Sequence, residues 1–187
     1  KNKFSKNEKN KAEELCQKYN EATATVVNKK IKKDKLQPGK LFSLSKLQNF
    51  LGKKYKMPMT ESLEIVQKLY ESGYVTYPRT NSEYLATAEK DKIRQILSGV
   101  SKLGYPVKFR DSKYIFDDSK IESHSALTPT YKIPDKSKLS DKEMQVYSTV
   151  FRRFIAVFCA EDCVVEKTEI VVGVGDYEEF LLKGTVI

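Results

Sequence analysis

The sequence predicts an α+β protein in which a mainly helical segment, residues 42–160, is inserted into a small antiparallel β domain made from residues 1–41 and 161–187. Three observations carry this prediction. Stretches rich in β-branched and aliphatic residues stand near the two ends, at 23–31, 163–174 and 180–187. Between them run helical periodicities opened by capping residues, the first three closed by Pro or Gly. The last two β-rich stretches meet at Gly175-Asp176, a dipeptide suited to a two-residue hairpin turn.

Taken in order, residues 1 to about 20 are charged throughout, with Ala12, Leu15, Cys16 and Tyr19 at helical spacing, which predicts a helix with one apolar face. Residues 23–31 then favour a strand. The basic run from Lys29 to Lys35 suits either a phosphate contact or a solvated strand face, and it leads to a turn at Pro38-Gly39. Ser45-Lys-Leu-Gln48 has the form of a capping box, and Leu44, Leu47 and Leu51 follow at i, i+3 and i+7, so a helix is expected to run to about Tyr55. Lys56-Met-Pro-Met59 breaks it. Thr60 then caps a second helix with Leu63, Val66 and Tyr70 on one face, ended by Gly73. Two helices with a short break, followed by a strand, describe either a helix-turn-helix with a wing-like extension or an ordinary helical hairpin. Thr87 is expected to cap a further helix through Ile93, Ile96 and Leu97, closed by Ser98-Gly99, and residues 104–118 read as irregular. Ser140-Asp-Lys-Glu143 is a second capping box. It opens the clearest helix of the chain, whose Met144, Tyr147, Phe151, Phe154 and Phe158 form a core stripe.

With 187 residues and 40% apolar residues, the chain has enough material for a real core. Its 34 Lys and Arg against 25 Asp and Glu leave a charge of +9, which points to a polyanion, nucleic acid before anionic membrane. No apolar run approaches the roughly 20 residues that span a bilayer, and the polar start lacks a signal-peptide core, so a cytoplasmic location without a membrane partner is expected. Cys16, Cys159 and Cys163 are too few and too odd in number for a disulfide framework, and read as buried free thiols. No metal-ligand set is expected.

Residues 74–85, Tyr-Val-Thr-Tyr-Pro-Arg-Thr-Asn-Ser-Glu-Tyr-Leu, place a phenol, a guanidinium and small polar groups side by side. If residues 75–79 are extended, Tyr77 and Arg79 project from one face, although Pro78 argues against a central strand. A phenol, with its ordinary pKa of about 10, attacks phosphate well only where cations stabilise the phenolate. Arg79 suits that task, because a guanidinium grips phosphate through two parallel hydrogen bonds.

The stretch Gly-Tyr-Val-Thr-Tyr-Pro-Arg-Thr-Asn-Ser, residues 73–82, resembles the nucleophile segment of type IA DNA topoisomerases, closest to the topoisomerase III branch. Ser-His-Ser-Ala-Leu-Thr-Pro-Thr, residues 123–130, resembles that family's His-x-Ala-Ile-x-Pro-Thr motif. The resemblance implies Tyr77 as the nucleophile that takes a 5′ phosphate from single-stranded DNA, Arg79 as stabiliser of the developing charge, and His124 as a donor to a neighbouring phosphate. It adds Ser82 and Arg153 as DNA contacts, with a salt bridge or a solvated face as the alternative for Arg153. It implies a bacterial enzyme that relaxes or decatenates DNA without ATP, with a winged-helix, catabolite-activator-like domain joined to a β domain by two hinge strands. The family's Mg²⁺ is held by a Glu and Asp-x-Asp cluster in a Toprim domain that has no counterpart in these residues. Asp117 and Asp118, adjacent in a loop, read instead as solvated or turn-forming. The chain is therefore expected to be a central piece of a topoisomerase, unable to cleave without the Toprim domain of its parent chain. Two rival readings are a stand-alone winged-helix module that places residues 61–72 in a major groove, and a structural or protein-binding domain. Comparing single- with double-stranded DNA as ligands separates all three.

Overall fold

In the computed structural model, which describes residues 4–187, the chain runs α1 (Lys9–Glu21), β1 (Ala24–Leu36), α2 (Leu44–Tyr55), α3 (Met59–Glu71), α4 (Lys90–Lys102), α5 (Asp141–Val157), β2 (Cys163–Val174) and β3 (Glu178–Val186). It divides into two units, one made of the residues up to Leu36 with Asp162–Ile187, the other of Gln37–Glu161. The α+β class is as the sequence predicts.

The first unit is an antiparallel sheet in the order β1-β2-β3. β1 does not stop at Ile31 but continues through the basic run to Leu36, paired with β2 as far as Cys163; across the ladder Lys30 faces Glu169 and Lys33 faces Glu166, while Lys32 faces Lys167. The lysine run is thus an exposed strand face. The register breaks between Val26 and Asn28, and Val27 is left as a bulge over Gly173, where a Cβ would come within 3.0 Å of the Val27 side chain. The hairpin pairs Val174 with Glu178, so its loop is Gly175-Asp176-Tyr177 rather than two residues, and Gly175 takes φ 52°. On α1 no residue is fully buried; Tyr19 rests its ring edge-on against Phe180 at 5.5 Å.

The second unit holds two apolar clusters with α5 as their common wall. Leu47, Leu51, Val66, Leu69, Val146 and Val150 join α2, α3 and α5, while Leu85, Ile93, Ile96, Phe116, Phe154 and Phe158 join α4, α5 and the loops. Phe151 touches both clusters. Ser140 and Glu143 form the expected capping box of α5: the Ser140 amide donates to Glu143 Oε2 at 2.8 Å and the Glu143 amide donates to Ser140 Oγ at 3.3 Å. Glu143 is itself buried and receives Lys68 of α3, which ties the two helices together.

Several boundaries differ from the sequence reading, each for a long-range reason. α2 starts at Leu44 after Ser43, not at a Ser45 capping box, and its first amide is satisfied across the fold by the Thr80 carbonyl at 3.0 Å. α3 starts at Met59, and it buries Val66 and Leu69 while Tyr70 stays 37% exposed. α4 follows a 3₁₀ turn at Thr87–Glu89 and runs through Ser98-Gly99 to Lys102, ending at Gly104 with φ 88°. Packing of Ile96, Leu97 and Val100 carries the helix past Gly99. Residues 75–79 form no strand, and Val75 makes only a single bridge, to Pro129. All three cysteines are free, but Cys16 and Cys163 are exposed and only Cys159 is half-buried, since α1 and the start of β2 offer no core to cover them. Among the described residues no helix is long and apolar enough to cross a membrane.

Candidate active site

Gly73 shapes the site. With φ 77° it closes α3 in a Schellman motif: the Tyr74 amide donates to the Leu69 carbonyl at 2.9 Å and the Gly73 amide to the Tyr70 carbonyl at 2.8 Å. The chain turns back here. Residues 74–76 then lie along 128–130, with Thr76 amide to Thr128 carbonyl at 2.9 Å, Thr130 amide to Tyr74 carbonyl at 3.0 Å, and Thr128 amide to Thr76 Oγ1 at 2.9 Å. The Thr130 hydroxyl donates to the Gly73 carbonyl at 2.6 Å and fixes the turn itself.

Buried hydroxyls continue the seam. Thr80 Oγ1 donates to the His124 carbonyl at 2.9 Å across 44 residues of sequence, and accepts from the Ser82 amide at 3.1 Å. Ser82 Oγ donates to the Lys120 carbonyl at 3.0 Å and accepts from the Tyr84 amide at 3.0 Å. The two segments singled out in the sequence therefore meet as one hydrogen-bonded seam, built by side chains small enough to stay buried and polar enough to satisfy backbone groups there.

On that seam Tyr77 is half-buried, its ring 4.4 Å from the His124 imidazole and 5.5 Å from the Tyr70 ring, which it meets nearly at right angles. Arg79 and His124 are exposed, and with Asn81, Ser82, Lys120, Glu122 and Ser123 they line a cavity of about 100 Å³. Arg79 makes no ion pair among the described residues. A guanidinium, an imidazole and a lysine on one cavity, against the single acid Glu122, with the phenol touching the imidazole, make a surface that can hold a phosphodiester by charge and by donated hydrogen bonds.

Ser82 lies at the cavity edge but is only 7% exposed, and its hydroxyl is engaged with backbone groups, so it braces the seam. Arg153 is elsewhere. Its Nη1 donates to the Lys40 carbonyl at 2.7 Å, its guanidinium lies 4.2 Å from the centre of the Phe42 ring, and burial holds its pKa below the usual arginine value. It faces a second cavity of about 390 Å³ with Lys46, Lys53 and Glu83. Gly39 admits this arginine, since a Cβ there would stand 2.9 Å from Nη1. The sequence reading missed Tyr70, Thr76 and Thr80; for the threonines the only signal was a density of small hydroxyls around Tyr77, and for Tyr70 there was none.

The residues present do not fit a divalent metal. Among the described residues no three metal-ligating side chains converge. Asp117 accepts the Ser119 hydroxyl and amide, Asp118 accepts the Thr87 hydroxyl and amide, and these bonds, the hydroxyl first in each case, hold both carboxyls below their ordinary pKa.

A model of the DNA topoisomerase family matches residues 1–187. DNA topoisomerase 3 of Staphylococcus epidermidis is 36% identical over 147 residues, which cover 74% of this chain and 20% of that protein. DNA topoisomerase 1 of Alkalihalophilus pseudofirmus is 31% identical over 182 residues, 92% of this chain and 25% of that protein. The solved full-length topoisomerase I of Thermotoga maritima superposes with a TM-score of 0.64 at 25% identity, over 100% of this chain and 30% of that one. The chain thus spans a fifth to a quarter of the length of the curated relatives named. A family match along every residue, relatives of two topoisomerase types and a shared fold lead to one conclusion: this chain belongs to the type IA DNA topoisomerase family.

Proposed function

We propose that this chain carries the nucleophile of an enzyme that cleaves and rejoins one DNA strand through a 5′-phosphotyrosyl intermediate, relaxing or decatenating DNA in the bacterial cytoplasm without ATP. The observation that carries this reading is the Tyr77 ring held 4.4 Å from His124, beside the cavity that Arg79 lines. Tyr77 Oη attacks the phosphorus of a single strand and gives up its proton; the bond from phosphorus to the 3′ oxygen breaks, and that oxygen leaves as a hydroxyl after taking up a proton. Arg79 offsets the charge that builds on the phosphoryl oxygens, and His124 donates to an adjacent phosphate. Because the phosphotyrosyl bond keeps the phosphodiester energy, the 3′ hydroxyl reverses the step and no ATP is consumed. Mg²⁺ belongs, on this reading, to the Toprim domain of the parent chain, and no step here is routed through it. Arg153 serves as a second, more distant contact to the DNA backbone. The α2–α3 pair with the Val75–Pro129 bridge is the winged-helix-like part of residues 42–160, and β1 and β2 are the hinge strands of a β domain made from residues 1–41 and 161–187.

The test is Tyr77→Phe in the complete enzyme, incubated with single-stranded DNA and then denatured. The expected result is no protein-linked DNA with binding retained, because only a hydroxyl is lost. Adducts that survive the substitution overturn the assignment and turn attention to Tyr74 and Tyr84. Arg79→Lys is expected to slow cleavage as well, since a point charge replaces a two-pronged donor.

A further inference from the structure

The proposed nucleophile makes ring contacts with two aromatic side chains. Among the described residues the Tyr77 hydroxyl has no hydrogen-bond partner, so nothing polar fixes where its oxygen points. A tyrosine turns about two side-chain bonds, and its oxygen sweeps an arc unless packing stops it. Two rings touch it: His124 at 4.4 Å and a tilt of 47°, and Tyr70 at 5.5 Å and 82°. The second is the edge-to-face geometry in which the positive rim of one ring meets the negative face of the other.

Tyr70 has no other evident work. By spacing it belongs to the apolar row of α3, yet the row buries Val66 and Leu69 and leaves Tyr70 37% exposed. It stands in the last turn of the helix, and the Schellman turn at Gly73 brings residue 77 back beside it. Core packing does not account for a large aromatic in that place; contact with Tyr77 does.

We propose that Tyr70 is a positioning residue for Tyr77: its ring restricts rotation of the phenol so that the hydroxyl meets the phosphate in one orientation. The inference rests on the reading of Tyr77 as nucleophile. Tyr70 forms and breaks no bond itself, and the covalent step is the one already written. Misplacing a reacting atom by about 1 Å costs up to about 100-fold in rate, and losing one aromatic pair shifts a rotamer population by about 2- to 10-fold, so a loss of roughly tenfold is expected.

Two variants test this in the complete enzyme, with single-turnover formation of the covalent adduct measured at saturating DNA and DNA affinity measured separately. Tyr70→Leu, which keeps helix propensity and apolar bulk but loses the ring, is expected to slow adduct formation about tenfold with affinity unchanged. Tyr70→Phe is expected to match the parent, because the contact needs a ring and no hydroxyl. In the 187-residue chain, side-chain couplings of Tyr77 measured by NMR are expected to show one rotamer in the parent and in Tyr70→Phe, and averaging in Tyr70→Leu. A Leu variant as fast as the parent, a Phe variant as slow as Leu, or a loss confined to DNA affinity would each overturn the proposal. Tyr77→Phe is run alongside. If it abolishes adducts while the Tyr70 variants behave as the parent, only this inference fails; if adducts persist in it, the nucleophile assignment fails first.

Discussion

Tyr147 shows how a single polar atom sets stability within the core. Its ring stacks on Phe151 at 5.8 Å and the residue is only 5% exposed, but its hydroxyl is buried without a hydrogen-bond partner. Such a group lost its bonds to water on folding and regained none. Tyr147→Phe is therefore expected to leave the melting temperature unchanged or to raise stability by up to about 1 kcal/mol, which thermal denaturation at neutral pH checks. Burial, with the nearby Tyr105 and Tyr74 adding to it, pushes the Tyr147 pKa up to about 12. The folded value lies above the ordinary 10, so the neutral phenol contributes fully below pH 10, and its contribution is lost as pH rises toward 12. Melting curves across that range should fall more steeply for the parent than for Tyr147→Phe; parallel curves would sink the argument.

Two helix ends decide how α3 meets its neighbours. At the C-terminus Gly73 adopts φ 77°, and a Cβ there would find open space, the nearest atom being Lys132 Cδ at 3.8 Å. The penalty for Gly73→Ala is therefore backbone strain alone, about 1 kcal/mol, and it should appear as a lower denaturant midpoint with an unchanged slope. The second end belongs to α5, where Glu143 caps the helix and receives Lys68 from α3. The Lys68 bond above all, with the Ser140 amide, holds the Glu143 carboxyl below its ordinary value of 4.5. A depressed acid stabilises above its unfolded pKa, so this contribution is complete above about pH 4.5 and is lost as pH falls through the lower folded value. Glu143→Gln is expected to cost about 1–2 kcal/mol at neutral pH and to lose less stability between about pH 5 and pH 3 than the parent does. An identical acid limb in both proteins would show that another carboxyl governs it.

Over the whole molecule, a charge of +9 and an exposed Arg79, Lys120 and His124 favour a polyanion held through its backbone. Binding of the 187-residue chain to single-stranded oligonucleotides is expected to be weak, indifferent to sequence, and steeply reduced by salt as condensed counterions are displaced less profitably. No protein-linked DNA is expected from this chain even with Mg²⁺, because Asp117 is engaged by Ser119, Asp118 is engaged by Thr87, and no three metal-ligating side chains converge among the described residues. Titration at several salt concentrations, followed by denaturing electrophoresis, checks both. Tight, salt-insensitive binding to one duplex sequence would favour a stand-alone winged-helix module instead.

What the sequence determined by itself is what neighbours along the chain decide. The Ser140-Glu143 box, the stop at Gly73 and the apolar stripe of α5 depend on partners within a turn or two, and all three are found where the spacing puts them. The two topoisomerase-like segments were legible because each is a short run of unusual chemistry, the phenol and guanidinium of one and the histidine with clustered hydroxyls of the other. Tertiary structure alone decided the rest. The start of α2 depends on a carbonyl at Thr80, and the passage of α4 through Gly99 depends on burial of its far face. Extension of β1 along its lysines depends on the ladder it forms with β2, 127 residues and more further along the chain. A chain reversal brings Tyr77 against Tyr70, and Thr80 reaches the His124 carbonyl across 44 residues. Local spacing cannot carry such contacts, since their partners are set by how whole elements pack and not by the residues on either side.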